Sequence, residues 1–161
     1  MFRVTADYDE QIEVGVDAAG ARAFFNELRN FVELMPGVDA IEALPDGNKR
    51  WTISAPVPVI GSIKQSFIAA ETANTEERIE WSPAPGEAGN LLRYSADFTP
   101  KNESRTSVRI RLKVEVRREK ATDLHMMAGW VGDERISKEM QRGVTMMMNI
   151  FTEKAKAKLN G

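Results

Sequence analysis

The stretches Ser107–Arg118, SVRIRLKVEVRR, and Asp133–Leu159, DERISKEMQRGVTMMMNIFTEKAKAKL, decide the fold. In the first, Val108, Ile110, Leu112, Val114 and Val116 alternate with Arg109, Arg111, Lys113, Glu115 and Arg117, the pattern of a strand with one face in a core and one in water. In the second, Ile136, Met140, Val144, Met147, Phe151, Ala155 and Leu159 recur every three or four residues and fall on one face of a long helix. That face needs an apolar surface to cover. Asp133 and Glu134 at the start of the helix, with Lys154, Lys156 and Lys158 at its end, complement its dipole.

The surface is supplied upstream. Residues 2 to 16 alternate through Phe2, Val4, Ala6 and Tyr8, then Ile12, Val14 and Val16, and a change of phase near Asp9 and Glu10 predicts a bulge. Asp17 is placed to cap a helix carrying Ala21, Phe24, Phe25 and Leu28. Asn30, with Glu33 three residues on, predicts the capping box of a second short helix that Pro36-Gly37 stops. Residues 38–44 and 48–55 flank the turn Pro45-Asp46-Gly47-Asn48 and form a hairpin. Pro56-Val57-Pro58-Val59-Ile60-Gly61 is too apolar for an ordinary loop, and its prolines bar it from a central strand. Strands follow at about 62–72, 76–82, 90–99 and 105–117, and Thr122 is placed to cap a short helix through Met126 and Met127 that breaks at Gly129. The order strand, two helices, six strands, long helix predicts an α+β fold in one domain: a curved antiparallel sheet of about seven strands wrapped around its C-terminal helix.

Composition narrows the function. The chain of 161 residues is 42% hydrophobic and 29% charged, as in an ordinary globular domain. It has no apolar run long enough to span a membrane and no apolar segment of a secretory signal at its start. Without cysteine there is no disulfide framework and no thiolate chemistry, which points to the cytoplasm. A net charge of −2 gives no global reason to bind nucleic acid. Arg105, Arg109, Arg111, Lys113, Arg117 and Arg118 read as a solvated outer stripe, and Asp97 and Glu115, beside Arg93 and Arg111, as members of cross-strand ion pairs.

The only histidine, His125, follows Asp123 but has no second histidine or cysteine to complete a metal set, so no metal and no cofactor is expected. The apolar set is more telling. Trp51, Phe67, Trp81, Tyr94, Phe98 and Leu112 take the inward register of their strands and face Met140, Gly143, Val144 and Met147 of the long helix. Six of the eight methionines lie between Met126 and Met148, and methionine repacks readily around varied apolar partners. Tyr94, Trp51 and Trp81 carry polar handles that could orient a ligand. Gly143 serves either close helix–sheet packing or room for a ligand. These ten residues form the candidate site for a hydrophobic or aromatic small molecule, with Pro56–Ile60, Pro83–Gly89 and His125–Trp130 as entrance segments.

The order of elements, the segment Phe31-Val32-Glu33-Leu34-Met35-Pro36-Gly37-Val38 and the terminal helix together resemble the START and birch-pollen-allergen superfamily, also called the polyketide cyclase or SRPBCC superfamily. The Met-Pro-Gly-Val stretch is similar to that of relatives of the G-type subunit of carbon monoxide dehydrogenase. The resemblance implies a helix-grip fold whose cavity takes lipids, polyketides, hormones or aromatic metabolites. The reading adopted is a non-catalytic binder of a lipid-like or polyketide-like molecule between the sheet and the helix; the resemblance leaves two alternatives, a polyketide cyclase, aromatase or dehydratase, for which Tyr94 or His125 would be the general acid or base, and an accessory protein docking on a membrane or a redox enzyme. A monomer or weak homodimer is expected.

Overall fold

A computed structural model describes all 161 residues. Its elements are β1 (Phe2–Val14), α1 (Ala18–Asn26), α2 (Arg29–Leu34), β2 (Val38–Ala43), β3 (Lys49–Val57), β4 (Gly61–Asn74), β5 (Arg78–Pro83), β6 (Asn90–Asn102), β7 (Arg105–Arg118), α3 (Ala128–Val131) and α4 (Asp133–Asn160). All seven strands join one antiparallel sheet in the order β1-β7-β6-β5-β4-β3-β2. The first strand therefore closes against the last, and the meander fills in between. The sheet curls around α4, which makes this a helix-grip fold, as the alternation in β7 and the stripe on α4 predict.

Two devices position α4. The outer edge of β1 has no strand partner, and polar side chains of the helix satisfy it: Thr5 N donates to Ser137 Oγ at 3.1 Å, Asp7 N donates to Gln141 Oε1 at 2.8 Å, and Gln141 Nε2 donates back to Asp7 O at 2.6 Å. An edge that would otherwise invite another chain is thereby covered. Further along, α4 crosses to β3. There Gly143 lies against Pro56, and a Cβ at Gly143 would stand 2.9 Å from the Pro56 carbonyl oxygen and 3.2 Å from its ring.

Several local expectations are corrected. β1 has no bulge: it pairs with β7 in unbroken register from Phe2–Arg118 to Val14–Thr106. Every apolar residue of the strand is even-numbered, and Glu10 merely occupies the inward register where that face is open to water. Asp17 does cap α1, its Oδ1 accepting from Gly20 N at 2.8 Å, but α2 starts at Arg29 without a side-chain cap. Asn30 lies inside α2 and donates instead to Phe24 O at the end of α1, at 2.8 Å, which ties the two helices into an elbow. Pro56 and Val57 belong to β3. Ser54 N donates outward to Gly37 O at 2.7 Å, and the residue two further on has its nitrogen on the same side, where β2 no longer runs, so proline forfeits no ladder bond there. Thr122 lies in a 3-10 turn, and the following helix, α3, contains Gly129; the break falls at Gly132, whose φ of +88° suits glycine.

Candidate functional site

One space between the sheet and α4 has almost no polar wall. It is lined by Ile53 and Ala55 of β3, by Ile63, Gln65 and Phe67 of β4, by Leu112, Val114 and Val116 of β7, by Met35 after α2, and by Met140, Val144, Met147 and Met148 of α4. The strand residues share a face because alternate side chains point the same way, and those of α4 recur at three or four residues. Gly37 helps to bring Met35 here. Its φ of +91° makes the turn out of the elbow, and a Cβ in its place would collide with the Ser54 carbonyl oxygen and the Met147 methyl. The chamber is nearly shut, with a free volume of about 30 Å³, the space of one water molecule. Four methionines fill it.

Phe67, Leu112, Met140, Val144 and Met147 thus line the chamber as the periodicity implies. The other five candidate residues stand elsewhere. Trp51 and Tyr94 belong to an aromatic layer built on Phe31, whose ring stacks on Phe151 at 4.4 Å, meets Tyr94 edge-on at 4.8 Å and lies 5.5 Å from Trp51. Phe98 packs on Phe25 in the same layer, at 6.1 Å between ring centroids. Trp81 lines a separate open groove of about 680 Å³ between the elbow and β2. The indole N–H groups of Trp51 and Trp81 are buried and meet no acceptor in the protein. Gly143 is outside the chamber lining, closed on Pro56, so the close-packing alternative is the one its surroundings favour.

The groups considered for acid–base chemistry are also fixed in place. The Tyr94 hydroxyl donates to Phe25 O at 3.3 Å, and complete burial holds it well above the usual phenol range, so it stays protonated. His125 is half-buried outside the chamber, its Nδ1 accepting from Met127 N at 3.1 Å, and no three side chains of metal-ligating type come together anywhere in the chain. Asp97 pairs with Arg78 at 2.7 Å, while Glu115 pairs with Arg117 at 2.5 Å and Arg3 at 3.8 Å. Both are cross-strand or same-strand ion pairs on the convex face, with partners other than the expected Arg93 and Arg111.

The chamber has a single polar corner, which composition and motif reading miss. Gln65, Asn90 and Arg118 meet at one end of the concave face. Gln65 Oε1 accepts from Asn90 Nδ2 at 3.0 Å and from Arg118 Nη2 at 2.8 Å, and Arg118 Nη2 also donates to Asn90 Oδ1 at 2.9 Å. They bridge a gap in the sheet, because β5 pairs with β6 only from Arg78 to Trp81 and leaves the start of β4 facing the start of β6. Arg118 therefore does not belong to the outer basic stripe expected from its charge. Its even number puts it in register with Val114 and Val116, on the inward face, and the same parity count identifies Gln65 beside Ile63 and Phe67.

No family model and no curated protein matches the chain by sequence. Solved structures match it over nearly its whole length. An aromatase/cyclase, Zhui from Streptomyces sp. R1128, superposes with a TM-score of 0.64 at 11% identity, over 94% of this chain and 93% of that one. A START superfamily protein from Mycobacterium smegmatis gives a TM-score of 0.53 at 18% identity, over 87% of this chain and 98% of that one. The fold is that of START proteins. StfQ, the di-domain aromatase/cyclase of the steffimycin biosynthetic pathway, matches with a TM-score of 0.61 at 16% identity. The START-like chain covers 97% of itself in that match and spans about half of StfQ, 51%. No helix is long and apolar enough to cross a membrane.

Proposed function

We propose that this START-like protein binds a hydrophobic or aromatic small molecule, of lipid or polyketide type, between the sheet and α4. The observation that carries the reading is the chamber wall: twelve of its thirteen residues are hydrophobic, and four of those are methionines. A wall of this kind is how proteins hold apolar ligands, and methionine, unbranched and with three rotatable bonds, lets a closed core yield to a guest. Binding is favoured over a cyclase or dehydratase activity. An acid or base must reach the substrate, whereas the Tyr94 hydroxyl is committed to Phe25 and His125 stands outside the lining. Native mass spectrometry of the purified chain tests the reading. A co-purified apolar compound, displaced when Phe67 is changed to Asp, supports it; no adduct, together with no thermal shift from added fatty acids, alcohols or polycyclic aromatics, overturns it.

A docking role has its own observation. Trp130 is 92% exposed and Met126 77%, both on the segment between β7 and α4. An exposed tryptophan and an exposed thioether on one short segment suit a lipid headgroup layer or an apolar partner surface. Co-sedimentation with phosphatidylcholine–phosphatidylglycerol vesicles that is lost in Trp130→Ser supports docking on a membrane, and no sedimentation of the wild type excludes it.

A further inference from the structure

We infer that the ligand is an amphiphile with an acidic head, a carboxylate held at Arg118 with its apolar body in the chamber; the inference rests on the binding reading above. Its starting point is the company that Arg118 keeps. The guanidinium is half-buried and makes four hydrogen bonds, to Gln65 Oε1, Asn90 Oδ1, Gly89 O and Arg117 O. Every one of these acceptors is a neutral amide oxygen. Most arginines of the convex face are different: Arg3, Arg78, Arg105, Arg109, Arg111 and Arg117 each have a carboxylate within ion-pair distance, while Arg93 is exposed and donates to Ser82 Oγ and Arg50 has no carboxylate in range. Arg118 is a half-buried cation on the concave face with no carboxylate within ion-pair distance, and a carboxylate is the planar partner that a guanidinium holds most strongly.

The location matches the chemistry. Arg118 is two residues beyond Val116 on the inward face of β7, and its partner Gln65 is the one polar residue in the chamber wall. A head held there lies at one end of the concave face, where β4 and β6 face one another beyond the end of the β5–β6 pairing, and its tail runs inward past Val116 and Val114. Gln65 and Asn90 hold the guanidinium with neutral oxygens that an entering carboxylate can replace without leaving a buried charge unpaired. The apolar wall binds the tail and Arg118 selects the head.

The test uses the full chain at neutral pH with dodecanoate and its neutral analogue dodecan-1-ol, measured by isothermal titration calorimetry. The acid is expected to bind about ten-fold more tightly than the alcohol, as one charge-assisted contact predicts. Arg118→Gln is expected to abolish that preference and to leave the affinity for the alcohol as it was. Lys113→Gln, on the convex face, is expected to retain the preference. Equal affinities in the wild type overturn the inference while the chamber reading stands, and so does a preference that survives Arg118→Gln. If neither compound binds, the inference falls, and the chamber reading is decided by the mass-spectrometric and thermal-shift test above. Should Arg118→Gln not fold, the side-chain Nε–H resonance of Arg118 in the wild type decides: it shifts with the acid and not with the alcohol if the inference holds, and a resonance indifferent to the acid overturns it.

Discussion

Gly143→Ala separates packing from ligand space at the centre of α4. A Cβ added there meets the Pro56 carbonyl oxygen at 2.9 Å and the proline ring at 3.2 Å, and the closest of these atoms is backbone, so α4 must move off β3. Overpacking of this kind costs about 1 to 3 kcal/mol. Against it stands the helix propensity of alanine, worth about 1 kcal/mol over glycine. The net is a loss of about 1 kcal/mol, which in a chain of this length lowers Tm by about 2 to 4 °C. Gly143→Leu drives three further carbons into the same contact and is expected to lose about 3 kcal/mol or more. Gly129→Ala is the internal control. It is a second helical glycine, exposed, with only the Ala121 Cβ in range at 3.8 Å, so it gains up to about 1 kcal/mol by propensity alone. Differential scanning calorimetry should show Tm moving down in Gly143→Ala and level or up in Gly129→Ala. If both rise together, α4 does not rest on β3 at Gly143 and the packing argument is refuted.

Glu80 governs part of the acid stability. Its carboxyl is held below its ordinary 4.5 first by the Thr72 hydroxyl and then by Arg78. A depressed folded value means that this stabilisation is complete above about 4.5 and is lost as the pH falls through the folded value. Between pH 6 and 2, Tm of Glu80→Gln should therefore fall less steeply than that of the wild type; parallel profiles would show that the pair adds nothing. Tyr94→Phe removes one buried hydrogen bond to Phe25 O and should cost about 1 kcal/mol with binding of apolar ligands unchanged. A loss of turnover by orders of magnitude in that variant would instead establish catalysis.

Legibility in the sequence follows the strength of the local signal. β7 and α4 are readable because each repeats one period for three turns or more, and their apolar faces can only be buried against one another. The meander from β2 to β7 follows from the turn signals between consecutive strands, whereas the pairing of β1 with β7 has no local signal and is seen only in the structure. Half of the candidate residues line the chamber for the same reason. Trp51, Tyr94 and Phe98 are inward-facing yet lie in a different layer, because which depth of a core a side chain reaches depends on Phe31, contributed by the elbow, and no periodicity in the strands encodes that neighbour. Composition misleads at Arg118, which closes a run of basic residues and reads as one of them. Parity contradicts composition there, and where the two conflict in a strand, parity decides which side of the sheet a residue joins.

Met147→Ala tests whether the methionines act as the movable filling of the chamber. Met147 lines the space and its methyl lies beside Gly37, so its removal leaves a void that the rigid sheet cannot close. Methionine-to-alanine changes in a core cost about 2 to 5 kcal/mol. In a chain of this length that lowers Tm by roughly 4 to 20 °C. Binding should move the other way. With about 30 Å³ free, the wild type must displace methionine side chains before a ligand enters, and its apparent affinity is its intrinsic affinity reduced by the fraction of molecules already open. Alanine makes the opening permanent, so that factor disappears while the rest of the apolar wall remains. Titration with dodecan-1-ol, set beside thermal melts of both proteins, should show the less stable variant binding more tightly. If affinity and stability fall together, Met147 is a fixed part of the ligand surface rather than its removable plug.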